Sequence, residues 1–592
     1  MYDKLLPHPR EFGMSSGTSP VASFNACRVC GLSEETMNLL EEDFPGITFE
    51  EDSRDAFFAV IGPEDDELRP NEDMALGAPE GEQGFLLDVD SDRVEIHARD
   101  AAGLWYGIQA FYQMRRHDEI PTGEIRDWPA VKYRGVHIDL KGYQFHFRKL
   151  IEMCHLLSRY RVNAILLEVE DKFDYACAPE VGVPGSYTAY EFKQLGKVCR
   201  ALHIELIPKI QTLGHVDYIL RHEKYAHLRE KDHAFQFCPR NEESLRLWKD
   251  MADELIECFP GHQYFHVGSD ETANLGECDV CREHSKASSY IHRVGQCIDH
   301  IIERDLTPIM WEDILRNAHH NLSEEEVRDT WALGKQCVLN YWVYGSQFTL
   351  DHMDAYLAAD MKVWGASAMS GAGPTMIEDY PPLADRASNM SLWTEAAVKY
   401  DLEGIIATSW TKFRSADPPA ESFDASWITA LYSAESTWWG QDRDLDEFLR
   451  VASEEFWGID VSDDILDFLL THDVRALPES LPQAPRNNDR LQLLLAAMRF
   501  QAHRKLRDDV AYQMHMYHRT LGDALPDYIV NHLRHMLKNY RRSIATNRDL
   551  LRSTLDDFYS GDCVEDVILS RFGRDEKIAD ELESLLDSTR LV

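Results

Sequence analysis

A chain of 592 residues is too long for one small core, and it is expected to fold as roughly two to four domains. Hydrophobic residues at 44% and aromatics at 10% are globular values, which excludes a disordered or fibrous chain. A formal net charge of −42 excludes nucleic acid and anionic membrane as partners, because both need basic patches.

The first residues, MYDKLLPHPREFGMSSG, hold no continuous apolar segment of the kind a secretory signal needs. No apolar run approaches the roughly 20 residues that span a bilayer. Cys154, Cys199 and Cys337 sit in apolar patterns and read as buried thiols, so a reducing, cytoplasmic location is expected. Residues 1–130 read as a small α+β accessory domain. ITFEEDSRDAFFAVIG and GFLLDVDSDRVEIHA alternate like strands, and residues 99–116 form a helix with Ala101, Trp105, Ile108 and Tyr112 on one face. Pro121, Gly123 and Pro129 mark its exit.

Cys27-Arg-Val-Cys30 lies in this first unit, and a second pair, Cys278-Asp-Val-Cys281, lies about 250 residues on. Together the pairs would supply four thiolates to a structural zinc. The competing reading is two local thiol pairs without metal, favoured by the long separation. Neither pair sits in the βαβ pattern of a thioredoxin-like redox motif.

From residue 131 to 435 strand-like and helix-like segments alternate, which argues for a parallel sheet covered by helices. The strand candidates are 133–140, 162–170, 204–210, 264–268, 307–311, 337–344, 361–367 and 404–410. Between them, 147–161 places Leu150, Ile151, Cys154 and Leu157 at helical spacing, and 241–259 opens on an Asn cap with an acidic first turn. This is the pattern of an α/β (β/α)₈ TIM barrel, whose active site forms at the C-terminal ends of the strands. Those ends carry Asp139 and Lys141, then Glu168, Glu170 and Asp171, then Gln211 and His215. Strand four runs into the neighbouring acids Asp270 and Glu271, and strand five into Trp311, Glu312 and Asp313. Tyr341, Trp342, Tyr344, Trp364 and Trp410 follow. Carboxylates ringed by aromatics suit a sugar, since acids do proton work and aromatic faces stack on a pyranose. Core packing is the competing reading for each Trp taken alone. Residues 436–592 read as a helical C-terminal domain built on 488–521 and 525–557, with homodimerisation one role open to it.

The segment HVGSDE resembles the H-[IV]-G-[GAM]-D-E signature of family 20 glycoside hydrolases, the β-N-acetylhexosaminidases. YRGVHIDLKG, LLEVEDKFDY, IPKIQTLGHVDYIL, VWGASAMSGA and IIATSWTKF resemble segments of that family in the same order, closest to its intracellular, hexosaminidase D-like branch. AAGLWYGIQAFYQ resembles the family's accessory domain, and the likeness covers about residues 50–415.

The resemblance implies an exo-acting, retaining enzyme in which the substrate's own acetamido oxygen attacks the anomeric carbon and forms an oxazoline. It implies Glu271 as the general acid and Asp270 as the partner of the acetamido group. Arg134 would bind ring hydroxyls, with Asp139, His215 and His266 nearby. Trp311, Trp342 and Trp410 would wall the acetamide pocket, and Tyr341 or Tyr344 would donate to its oxygen. Ser269, Val169 and Lys412 depart from the family pattern, and Lys412 leaves the choice between gluco and galacto epimers open. The implied partner is a small glycan or glycoconjugate with a terminal N-acetylhexosamine, and no cofactor is implied. Two other readings compete. A metal-dependent barrel hydrolase would need His pairs at strand ends, and FHFR at 145–148 is a weak match. A catalytically silent carbohydrate-binding relative would have lost the acids retained here.

Overall fold

The computed structural model of the chain describes residues 1–19, 26–41, 47–50, 56–61, 77–91, 93–117, 119–371, 382–461 and 483–591. The N-terminal unit is one seven-stranded sheet of order β1-β7-β5-β6-β4-β2-β3. Its strands are β1 (Glu11–Ser19), β2 (Ala26–Cys30), β3 (Ile47–Glu50), β4 (Ala56–Ile61), β5 (Phe85–Val89), β6 (Arg93–Ala98) and β7 (Ile120–Asp127). The helix Ala101–Met114 starts where the Asp100 side chain accepts from Gly103 N, and it buries Trp105, Ile108 and Phe111. Strands β1 and β7 pair with each other and were not anticipated, because neither alternates cleanly in hydrophobicity.

The middle of the chain closes into an eight-stranded parallel barrel. Its strands are β8 (Tyr133–Asp139), β9 (Ala164–Glu168), β10 (Glu205–Lys209), β13 (Tyr264–His266), β14 (Thr307–Trp311), β15 (Val338–Trp342), β16 (Lys362–Ser370) and β17 (Gly404–Ser409), while β11 (Arg229–Glu230) and β12 (His233–Phe237) form a separate hairpin. Every strand expected from the sequence is present. The lumen is filled by inward residues at alternate positions, among them Leu166, Ile207, Ile309, Trp311, Trp364 and Ile406. The hairpin β11–β12 follows β10 and is bonded back onto the loop that carries His215, with Val216 N donating to Phe235 O at 3.1 Å.

Helices Asn488–Leu521 and Asp527–Asp556 lie antiparallel in the C-terminal region, with Gly561–Phe572 and Asp575–Asp587 packed against them. Leu491 to Phe500 and Leu551 to Phe572 share the barrel's hydrophobic core, whereas Val510, Leu533, Tyr540 and Leu582 belong to a separate distal cluster.

Two residues expected at the sugar site belong instead to the frame. Arg134 stands near the start of β8, five residues before Asp139, so along the strand it is about 16 Å from the rim. It is buried, donating to Arg161 O, Val131 O, Lys132 O and Gln83 Oε1, and its guanidinium lies 4.9 Å from the Trp438 ring. Arg134 therefore joins the accessory domain to the barrel floor. Tyr341 faces out of the barrel, because alternation on β15 turns Asn340 and Trp342 inward; its ring packs on Tyr356 and Trp393.

Candidate active site

The C-terminal rim of the barrel holds a cavity of 190 Å³ lined by Asp270, Glu271, His215, Trp311, Trp342, Tyr344 and Trp410, together with Lys141, Gly371, Lys412 and Phe413. That volume is below the range of about 300–1,000 Å³ for drug-sized ligands, so it suits one sugar ring better than a chain.

The loop after β13 bends sharply to present both acids. Gly268, Ser269 and Glu271 adopt φ of 67°, 80° and 46°, a left-handed conformation that costs a non-glycine residue about 1–2 kcal/mol. Polar bonds hold the bend. Gln211 Oε1 accepts from Ser269 N at 3.1 Å while its Nε2 donates to Asp270 Oδ1 at 2.8 Å. Glu271 N donates to Asp313 Oδ2 at 3.0 Å, and His319 sits 3.0 Å from the same oxygen. The sequence offered Asp313 and Gln211 only as strand-end groups; their role in fixing the acids is visible in the fold.

His215 bridges the two acids. Its Nε2 is 3.1 Å from Glu271 Oε2 and 3.7 Å from Asp270 Oδ2, and its Nδ1 is 3.3 Å from Phe413 O. Burial raises the Asp270 carboxyl above the ordinary aspartate range, against the pull of His215 and Lys209. Burial also lifts Glu271, but the His215 hydrogen bond and charge outweigh it and the net displacement is downward. His215 is displaced upward: burial opposes its charge, and the two carboxylates overcome that. These directions are the reverse of those a protonated Glu271 beside an ionised Asp270 would need. The cause is His215, whose hydrogen bond and charge outweigh burial at Glu271 while its charge does not outweigh burial at Asp270, and substrate changes the balance. Solvent reaches 32% of the Glu271 side chain and 9% of that of Asp270, so a ring seated in the pocket adds most of its desolvation to Glu271.

Tyr344 and Trp342 stack at 5.2 Å, and the Trp410 indole donates to Tyr344 Oη at 3.1 Å, with Thr408 a second hydrogen-bond partner of that hydroxyl. Beneath the rim, Glu168 binds Lys141 at 3.1 Å, Lys209 at 2.7 Å and His137 at 2.9 Å. Burial alone would raise Glu168, but the charges of Lys141 and Lys209, with the His137 hydrogen bond, hold it well below the carboxylate range. Lys141 reaches the cavity from this network with its ammonium 5.0 Å from the Trp410 ring. The sequence placed Lys141 at the end of the first strand without giving it a part in binding.

Asp139 and His266 do not line the cavity. Asp139 accepts from Thr411 N at 2.8 Å and Lys141 N at 2.9 Å, so it braces the rim. His266 accepts from Gly268 N at 2.9 Å and packs at 4.6 Å on Trp311, behind the wall. Glu312, pushed up to about 8 by burial against the pull of Arg316, also lies outside the cavity lining.

Two groups of donor atoms lie close enough to share a cation among the described residues: His215, Asp270 and Glu271, and separately Glu230, Cys238, Cys278 and Cys281. The four-cysteine set weighed for the two CxxC pairs is not among these groups. Cys30 lies on β2 in the accessory sheet, the Cys27 side chain lies outside the described residues, and Cys278 and Cys281 converge with Cys238 instead.

Comparison with known proteins adds an independent line. The sequence model described as "Glycosyl hydrolase family 20, catalytic domain" matches residues 131–441, and "Glycosyl hydrolase family 20, domain 2" matches residues 4–128. Hexosaminidase D of Bos taurus is 33% identical over 300 residues, which cover 47% of this chain and 84% of that protein. Hexosaminidase D of Homo sapiens is 29% identical over 303 residues, covering 47% of this chain and 60% of that protein. The crystal structure of Flavobacterium johnsoniae chitobiase superposes with a TM-score of 0.59 at 15% identity, covering 99% of this chain and 93% of that one, a likeness of fold.

Proposed function

The chain belongs to glycosyl hydrolase family 20, and from that premise we propose that its rim cavity removes terminal β-linked GlcNAc or GalNAc, exo-acting and with retention, through an oxazoline intermediate. It is a glycoside hydrolase of the β-hexosaminidase type. The observation that carries the mechanism is the placement of the carboxylates. Asp270 and Glu271 are neighbours on one loop, and no other carboxylate among the described residues lines the cavity. An enzyme nucleophile would have to stand about 5–5.5 Å from the acid, on the other face of the anomeric carbon. The acetamido group of the substrate supplies that missing nucleophile.

In this reading Glu271 gives its proton to the glycosidic oxygen as the acetamido carbonyl oxygen bonds to C1 and the aglycone leaves. Asp270 accepts from the acetamido N–H and faces the positive charge that develops on the ring formed. Water then attacks C1, Glu271 takes its proton, and the acetamido group reopens with the β configuration restored. Tyr344 donates to the acetamide oxygen, Trp311, Trp342 and Trp410 enclose its methyl, and Lys141 and Lys412 meet ring hydroxyls. The buried thiols Cys154, Cys199 and Cys337 fit a reducing, cytoplasmic setting.

The test is a pair of substrates. Glu271→Gln is expected to lower kcat/KM by about 10²–10⁴ on a sugar leaving group, and by at least tenfold less on an activated aryl glycoside, which needs little protonation. Equal losses on both would remove Glu271 from the acid role. Chelator added only at the start of the assay should leave the initial wild-type rate on the sugar substrate unchanged, because no step runs through a metal at the rim, which separates this reading from metal-assisted hydrolysis.

A further inference from the structure

Beside the catalytic loop, and outside the sugar cavity, three thiols and one carboxylate converge. Cys238 Sγ lies 3.7 Å from Cys278 Sγ and 3.6 Å from Cys281 Sγ. Three sulfurs bound to one zinc at about 2.3 Å, at tetrahedral angles, stand about 3.8 Å apart. A disulfide would need about 2.05 Å. The pair Cys278–Cys281 is folded as a ligand turn, with Cys281 N donating to Cys278 Sγ at 3.4 Å.

Glu230 supplies an independent sign of a missing ligand. It is fully buried, and its Oε1 accepts from Glu277 N at 2.6 Å and Cys278 N at 2.7 Å. Its Oε2 is equally buried and accepts nothing in the protein. A buried carboxylate oxygen without a partner is costly, so one with three thiols around it points to a cation. The ligand atoms of all four residues lie within 4.8 Å of one another. Arg293 stands alongside, with Nη2 donating to Cys238 O at 3.0 Å and Nη1 buried and unpaired. A guanidinium there offsets the excess negative charge of three thiolates and a carboxylate on one divalent ion.

We infer that Cys238, Cys278, Cys281 and Glu230 bind one structural zinc ion. Thiolate-rich tetrahedral sets select zinc among divalent ions that resist redox chemistry. On binding, the three thiols lose their protons to solvent and the carboxylate enters as the anion. The ion staples two elements that frame the sugar cavity: the hairpin β11–β12, whose Phe235 stacks on Phe413, and the loop that presents Asp270 and Glu271. It would act on catalysis only by holding that loop.

The full-length protein, purified without added metal and under reducing conditions, is expected to carry about one zinc per chain by elemental analysis. Asp270→Asn should leave that count unchanged, which separates this site from the His215 cluster. Cys238→Ser and Cys281→Ser should each remove the zinc. Glu230→Gln keeps the backbone bonds but not the metal oxygen, and should weaken affinity about tenfold or more. Because the cysteine variants can fail to fold, wild type is also alkylated: zinc should shield Cys238, Cys278 and Cys281, and chelator should expose all three. Cobalt replacing zinc should give the intense charge-transfer band of several thiolates. The inference is overturned if wild type neither carries nor takes up zinc or cobalt, if its mass shows a disulfide among these cysteines, or if zinc persists undiminished in the variants.

Discussion

His215 sets the charge balance of the two acids, and the sign of its effect is open to measurement. It pulls both carboxyls down, Glu271 through a hydrogen bond and Asp270 through charge. In the proposed cycle the acid limb of kcat, which reports the substrate complex, follows Asp270, which must be ionised, and the alkaline limb follows Glu271, which must hold its proton. Removing the imidazole lets both carboxyl pKa values rise. His215→Asn should therefore slide both limbs toward alkaline pH, beyond any loss of rate. Limbs that stay in place would mean that His215 does not tune the acids. At this scale the sequence showed Asp270, Glu271, His215 and the aromatic wall, because strand ends of a barrel converge. It misled at Arg134 and Tyr341, whose positions depend on distance along a strand and on which face of it they occupy. It missed the Cys238 contribution because that cysteine is outside any CxxC pair and joins only through the hairpin.

The loop from Val267 to Glu271 is the element on which the proposed catalysis depends, and Gly268 is its tightest point. A Cβ there would lie 2.0 Å from Gln211 Oε1 and 2.6 Å from Gln211 Cδ, at a φ of 67°. Gln211 would have to move, and it is the residue that holds Ser269 N and Asp270. Gly268→Ala should cost about 1–3 kcal/mol of stability by urea titration. It should also lower kcat/KM by at least tenfold at a temperature where the variant is folded. A stable variant with full activity would show that the bend does not position Asp270. The barrel strands were legible because buried apolar runs ending in polar groups repeat along the chain. The hairpin β11–β12 was not, since two- and five-residue strands carry too few positions to show a period.

The three parts of the molecule are joined by buried charge as well as by shared core. Arg490, on the first long C-terminal helix, is buried; it donates to Glu152 at 2.7 Å and stands 3.4 Å from Asp424 beside the barrel. Burial lifts the Asp424 carboxyl, against the pull of Arg490, and Tyr559 Oη also donates to it at 2.9 Å. Arg490→Met would strand that carboxylate, at a cost of about 3–5 kcal/mol, seen as an earlier urea midpoint. Adding Asp424→Asn should recover much of the loss, because the stranded charge goes with it. If the double variant is no more stable than Arg490→Met, the pair is not coupled. The C-terminal helices were legible by length and polar periodicity. Their docking was not, since nothing in a helix sequence says which barrel face will receive it. The same region reaches the sugar rim, where Asp566 lies 3.9 Å from Lys412.

The central claim is that the substrate supplies its own nucleophile while Asp270 faces the charge it develops. The most direct measurement is kcat for a series of aryl glycosides whose 2-acetamido group carries none, one, two or three fluorines. Each fluorine weakens the carbonyl oxygen as a nucleophile and leaves its size nearly unchanged. The account predicts a steady fall in kcat along the series, with the trifluoro member slower by orders of magnitude. A flat series would contradict it and would require a carboxylate of the enzyme to attack instead.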